Sequence, residues 1–280
     1  LADDGFTLSS KDEKTRTFWV EHAKRCREIS AEIGRGMGSS CIHDIWIPDG
    51  TKDYPVDRMG HRRILMEALD EILEKEYPAA QMKDAVEAKL FGIGSEAYVV
   101  GSHDFYLAYA ISRGKIPCID MGHFHPTELV ADKISSILLF SEELLLHISR
   151  PMRWDSDHVV IQSDELNFLS EELVRSGRLD KVYLGLDFFD ASINRLGAWA
   201  VGTRATLQAL LRAFLQPYNK LLAYEEDGNN FARMALLEEL KGMPSGAVWD
   251  KYCSDTGVVL NSELIETVMD YERTVQSKRA

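Results

Sequence analysis

The sequence is poor in cysteine and short of positive charge, and it has no long apolar run. Its four cysteines, Cys26, Cys41, Cys118 and Cys253, form no CxxC pair and sit in ordinary helix- or strand-like patterns. They read as reduced thiols of a cytoplasmic protein. Lys and Arg number 32 against 45 Asp and Glu, a net charge of −13. So acidic a surface repels phosphate backbones and anionic lipid, which argues against nucleic acid and membrane as partners. Divalent cations and neutral substrates remain compatible with it. No apolar stretch reaches about 18 residues and no signal peptide is visible, so nothing reads as a membrane span or an export signal. The dinucleotide fingerprint GxGxxG follows no strand-like run, and the phosphate loop GxxxxGK[ST] is missing too. The chain also opens on Leu1 rather than Met. Initiator methionine is trimmed before small residues, so Leu1 is expected to mark an N-terminally truncated chain.

What is there is a large hydrophobic complement: 45% of 280 residues, enough for one domain of α/β-barrel size or two smaller ones. From residue 41 the pattern alternates. "CIHDIWIPDG" (41–50) is β-rich and closes on a Pro-Asp-Gly turn, and "RRILMEALDEILEKE" (62–76) has the spacing of an amphipathic helix. Strand-like runs follow at 85–94, 116–122, 144–150 and 182–189, and helical runs at 104–114, 127–143, 164–177 and 196–215. Strand and helix alternating at roughly 30-residue spacing predict βαβ units and a parallel sheet. The strands are nearly continuous apolar runs, as in sheets covered on both faces. Beyond Pro217 only helical patterns remain, such as "FARMALLEELKG" and "SELIETVMDYERTVQS". We expect a partial (β/α)8 barrel over 1–216, supplying about the last five βα units, and a helical extension over 217–280.

The polar residues carried by these strands favour a barrel over a doubly wound sheet. Glu87 lies in the second strand, Asp120 ends the third with His123 just after it, His147 sits in the fourth, and Asp187 in the fifth. Asp155 and Asp157 follow the fourth strand in "RWDSDH". An acid or imidazole inside an apolar strand is costly unless it is paired or binds metal, and four of the five expected strands carry one. In a barrel these strand ends converge on one mouth, where barrel chemistry resides. Five carboxylates and two imidazoles without thiolate suit hard divalent ions, Mn²⁺, Mg²⁺ or Co²⁺. Seven side chains suit two ions sharing a carboxylate. Asp155 and Asp157 would project to one side of an extended segment. His125 and His158 are assigned to supporting roles. Lys89, two residues after Glu87, is expected on the same side of the strand, where it would offset acid charge and donate to a substrate oxygen. Trp46, Phe188 and Phe189 at strand ends would offer an apolar wall to a sugar. Such a site suits polarisation of two adjacent oxygens, as in aldose–ketose isomerisation, and equally suits water activation for hydrolysis. Residue types alone do not choose between these. An inactive metal- or sugar-binding remnant is a third reading, if the earlier barrel strands are absent.

Several long motifs narrow the choice: "IWIPDGTKD", "VEAKLFGIGSEAYVVGS", "DMGHFHPTELVADKIS", "LLLHISRPMRWDSDHVV", "GLDFFDASINR" and, in the tail, "AVWDKYC". With these the chain resembles the L-rhamnose isomerase family over its whole length. The resemblance implies a (β/α)8 barrel, a homotetramer, and two divalent ions per site, usually Mn²⁺. It also implies conversion of L-rhamnose to L-rhamnulose, with some activity on other aldoses. Carried over, it makes Glu87, Asp120, His147 and Asp187 ligands of a structural, substrate-orienting ion. His123, Asp155 and Asp157 would hold a catalytic ion, with Asp120 able to bridge. Lys89 and Asp187 become catalytic residues, Asp187 by handling proton transfer between O1 and O2, and Trp46 and Phe189 substrate contacts. The family pattern has further barrel strands ahead of residue 1.

Overall fold

The first helix, α1 (Glu13–Met37), is an element that apolar periodicity does not reveal. In the computed structural model, which describes residues 5–89, 97–152, 155–188 and 192–279 and leaves the side chains of 155–157 undescribed, α1 is capped by Asp12, whose carboxylate accepts from the Thr15 amide. Its buried face is Val20, Arg27, Ala31 and Gly34. Two of these four are not apolar, which hides the stripe from a hydrophobic count. Gly34 lies so close to the Gln81 carbonyl that a Cβ there would sit 1.8 Å from the oxygen.

The chain then runs β1 (Cys41–Ile45), β2 (Gly50–Thr51), α2 (Arg58–Leu73), β3 (Met82–Glu87), β4 (Tyr98–Val99) and α3 (His103–Arg113). It continues through β5 (Ile116–Asp120), α4 (Ala131–Leu138), β6 (Leu144–Ile148), β7 (Arg150–Met152), β8 (Asp155–His158) and α5 (Asp164–Arg175). After β9 (Val182–Leu186) come α6 (Arg195–Phe214) and the tail helices α7 (Tyr218–Glu226), α8 (Asn230–Lys241), α9 (Ser245–Thr256) and α10 (Asn261–Thr274). Five strands form the main sheet in the order β1-β3-β5-β6-β9. The pairs β1–β3, β3–β5 and β5–β6 are parallel. Each new strand is laid beside its predecessor and the order never reverses. A doubly wound sheet has a reversal, the topological switch point; a barrel does not. The expected five βα units of barrel type, followed by a helical tail, are what the chain forms.

Two elements depart most from their expected bounds. The strand expected over 85–94 is β3, which begins earlier and ends at Glu87; 90–96 lie outside the described residues. The helix expected over 127–143 is the shorter α4. Ahead of it, three-residue turn bonds, from the Glu128 amide to the His125 carbonyl and from Asp132 to Leu129, take the place of helical ones.

The residues form two compact units: Leu1–Glu128, Ser135–Ile148 and Asp180–Gly185 in one, and Leu129–Ile134, Ser149–Leu179 and Leu186–Ala280 in the other. In the first, strand alternation sorts the sheet into two faces. Ile42 and Asp44, Ala85 and Glu87, Ile116, Cys118 and Asp120, and Leu145 and His147 share one face. Ala85, Ile116, Cys118 and Leu145 form a core there. The opposite face packs on helices, where Val86, Leu65, Leu69 and Ile72 are fully buried. In the second unit, Leu166, Leu169 and Leu173 of α5 are buried, as are Ala198, Ala205, Ala209 and Ala213 of the neighbouring α6. The small side chains let the two helices approach closely. Arg212 donates to Asn167, and Gln216 to Glu171, across the same interface.

One buried ion pair ties the helical layer of the first unit to its sheet. Arg27 of α1 reaches Asp84 of β3 through two hydrogen bonds of 2.7 and 2.8 Å, and donates to the Ile72 and Lys75 carbonyls at the end of α2. Burial pushes the Asp84 carboxyl up, but the neighbouring His43 imidazole and the Arg27 guanidinium outweigh it and hold the group at about 2. The depressed value means that this stabilisation, about 2 kcal/mol from the shift, is present above pH 4 and lost as pH falls from about 4 towards 2. Arg27→Met strands a buried carboxylate and is expected to cost about 3–5 kcal/mol in urea unfolding. A loss below about 1 kcal/mol would show that the pair does not hold these layers together.

Candidate metal centre

Glu87, Asp120 and His147 lie at or next to the C-terminal ends of β3, β5 and β6, because the polypeptide runs the same way in these three strands. Asp120 and His147 are register partners across β5 and β6, and Glu87 faces Cys118 across β3 and β5. The alternation that buries Ala85, Ile116 and Leu145 therefore brings Glu87, Asp120 and His147 out on the same face, one layer higher. Glu87 and Asp120 are 4% and 1% exposed, a burial that only a partner or a cation makes tolerable.

The turn after β5 is drawn tight by its own acid. Asp120 Oδ1 accepts from the Gly122 amide at 2.6 Å, and the His123 amide donates to the Asp120 carbonyl at 3.2 Å. This carries the His123 ring back over β3, where Nδ1 lies 2.9 Å from the Ala88 carbonyl and 3.5 Å from Glu87 Oε1. A carbonyl only accepts, so Nδ1 bears the proton and Nε2 keeps its lone pair for a metal. His147 Nδ1 lies 3.1 Å from the same Glu87 oxygen and 3.8 Å from Asp120 Oδ2. Gly185 on β9 makes room for the His147 ring; a Cβ there would lie 3.1 Å from Cδ2.

The two acids respond in opposite directions. Burial raises Glu87, but the His147 hydrogen bond and the charges of His147 and His123 overcome it, and the carboxyl lies below its ordinary value. Asp120 is pushed up to about 6 by burial, which the charge of His123 and the Gly122 amide only partly offset. Two carboxylates sharing the same imidazoles repel one another, and a divalent cation would relieve both. Among the described residues, the donor sets with ligand atoms within 4.8 Å of one another include two overlapping ones inside the first unit: Glu87, Asp120 and His123, and Asp44, Glu87, Cys118 and His147. Hard oxygens with imidazole fit a divalent ion of the Mn²⁺ or Mg²⁺ kind.

Asp44 and Cys118 are the residues that sequence reasoning passed over. Asp44 hydrogen-bonds Glu87 and helps to hold its carboxyl down. It was legible as an acid two residues before Trp46 in an apolar run, and Cys118 as the residue two before Asp120, on the same strand face.

The other predicted residues lie outside these two sets or outside the description. Lys89 is not in the strand, as expected from its spacing, but two residues beyond it, because its amide turns away to the Gly101 carbonyl at 3.0 Å. It is nonetheless buried, its ammonium 2.7 Å from the Pro48 carbonyl and 5.8 Å from the centre of the Trp46 ring. Trp46 is partly exposed just past β1. Asp187 follows β9 directly and is half-buried in the second unit. Asp155 begins the extended backbone of β8, opposite Met152 of β7, with Asp157 on the same strand; their side chains lie outside the description, as does Phe189. Phe188 is buried against Gly202 of α6. His125 is exposed, its Nδ1 2.7 Å from the Thr127 hydroxyl, and His158 ends β8 half-buried.

The L-rhamnose isomerase (RhaA) family model matches residues 1–279. The L-rhamnose isomerase of Rhodopirellula baltica is 53% identical over 279 residues, and that of Pectobacterium carotovorum 52%. Both alignments take in the whole of this chain, which spans about two thirds of their length, 65% and 66%. In fold the chain is similar to L-ribulose 3-epimerase, with a TM-score of 0.50 at 14% identity over 75% of this chain and 72% of that one. Among the described residues no helix is long and apolar enough to cross a membrane.

Gly185→Ala tests the site without touching a donor atom. Displacing the His147 ring by a few tenths of an ångström is expected to weaken Mn²⁺ binding roughly tenfold, in line with changes to groups that orient ligands. Calorimetric titration measures it, and unaltered affinity would remove His147 from the ligand set.

Proposed function

Because the chain belongs to the L-rhamnose isomerase family, we propose that the protein carrying it interconverts L-rhamnose and L-rhamnulose as a metal-dependent aldose–ketose isomerase. The observation that carries the reading is the convergence of Glu87, Asp120, His123 and His147 at parallel strand ends, with a buried lysine and a partly exposed tryptophan nearby. Glu87, Asp120, His147 and Asp187 would hold one ion. His123, Asp155 and Asp157 would hold a second, with Asp120 able to bridge. Mn²⁺ is the first choice, and Co²⁺ or Mg²⁺ fit the same donors. When bound, the ions supply Lewis-acid polarisation of two adjacent sugar oxygens.

The residues of the chain do the rest. From aldose to ketose, hydride moves from C2 to C1 and a proton moves from O2 to O1, so nothing is gained or lost. Asp187 is assigned the oxygen-to-oxygen proton transfer, accepting it at a carboxylate oxygen and returning it. Lys89 donates a hydrogen bond to a substrate oxygen on which negative charge grows, the kind of contact that is worth most when water is excluded. Trp46 and Phe189 line the apolar side of the sugar. We extend the proposal to a cytoplasmic homotetramer, as the family resemblance implies, and to a division of labour at residue 216, since every proposed ligand precedes it.

Incubation with L-rhamnose and Mn²⁺ is expected to give a product of unchanged mass, whereas a hydrolase would alter it. Substrate deuterated at C2 should keep its label, now on C1, in ordinary water; wash-out into solvent would rule out the hydride shift. Asp155→Asn is expected to abolish turnover, and full activity in that variant would remove Asp155 from the ion site.

A further inference from the structure

We propose that Asp49, a residue outside the metal centre, is the positioning residue for Lys89; the proposal rests on the role given to Lys89 above. Asp49 belongs to the Pro48-Asp49-Gly50 turn between β1 and β2 and is fully buried, at 0% exposure. Its carboxylate accepts three hydrogen bonds from the segment ahead of α1. The Thr7 hydroxyl donates to Oδ1 at 2.5 Å, and the Ser9 amide and hydroxyl donate to Oδ2 at 2.9 and 2.5 Å. The Asp49 carbonyl accepts from the Val100 amide at 3.1 Å, and the Gly50 amide donates to the Gly5 carbonyl at 3.3 Å. The donor segment is itself fixed: Phe6 stacks on His61 of α2 with ring centres 4.7 Å apart.

This fastening reaches Lys89 through one rigid unit. The peptide joining Pro48 to Asp49 is planar, so the Pro48 carbonyl oxygen and the Asp49 Cα move together. Anchoring Asp49 by its side chain and its carbonyl sets the direction of the Pro48 oxygen, which accepts from Lys89 Nζ at 2.7 Å. Residues 100 and 101 support both partners, Val100 bonding Asp49 and Gly101 accepting from the Lys89 amide at 3.0 Å. Lysine is a point charge on a flexible four-carbon stem. Lys89 lies beyond the end of β3, and the Pro48 carbonyl is a fixed acceptor that directs its ammonium. A hydroxyl-lined carboxylate thus helps to set where the ammonium sits.

The test is a double-mutant cycle in the full protein with Mn²⁺ bound. Asp49→Asn keeps the shape but turns one acceptor oxygen into a donor facing Thr7 or Ser9. It is expected to lower kcat by about tenfold to a hundredfold, the scale of an ångström's misplacement of a reacting group. In a Lys89→Met background the same substitution should lower the residual kcat no further, because the group it positions is gone. An equal loss in both backgrounds, or no loss in the first, overturns the inference. Should Asp49→Asn fail to fold, Ser9→Ala, which removes a single donor, is read in the same cycle. Lys89→Met by itself separates the two ideas: unchanged kcat there overturns the role of Lys89, whereas a large loss that is merely additive with Asp49→Asn overturns only the positioning.

Discussion

A buried carboxylate must find positive charge or hydrogen-bond donors, and the first unit of this protein carries two different answers to that demand on one strand. β3 carries Asp84 towards the helices and Glu87 towards the opposite face. Asp84 has a permanent partner in Arg27, whose remaining donors take up the carbonyls at the end of α2. Among the described residues Glu87 has imidazoles, the acids Asp44 and Asp120 and the Cys118 thiol as its polar neighbours, and no permanent cation among them. The first arrangement is closed and holds layers together. The second is short of cationic charge, and a divalent ion would complete it.

That difference explains the opposite behaviour of Glu87 and Asp120. Both are acids in a low-dielectric layer, and the imidazoles around them satisfy one better than the other. Glu87 takes the close contact with His147 and stays ionised more readily, while Asp120, more deeply buried, is driven towards its neutral form. An ion held between them would replace the missing charge. The aliphatic layer beneath, Ala85, Ile116 and Leu145, keeps the strands in the register on which those ligand positions depend.

The turn at Pro48-Asp49-Gly50, between β1 and β2, is fastened by a segment that belongs to no strand. Loops after barrel strands carry chemistry but have no ladder to fix them. Here buried side-chain hydrogen bonds replace the ladder, and the segment before α1 supplies the donors.

Much of this was legible before any coordinates. Alternation of apolar runs at the spacing of βα units determined the sheet, because strands covered on both faces must be apolar and their helices amphipathic. Glu87, Asp120 and His147 stood out because polar groups in such strands need a reason. Helix α1 did not, since its buried stripe includes Arg27 and Gly34, which no hydrophobic count detects. The approach of Asp44 to Glu87 and the three donors on Asp49 depend on residues about 40 positions apart in the chain, and the turn that takes Lys89 off the strand depends on Gly101, across the β3–α3 connection. Local sequence sets which face of a strand a residue occupies. Only the packed sheet decides which residues from different strands meet, because that depends on register and loop closure rather than on any local preference.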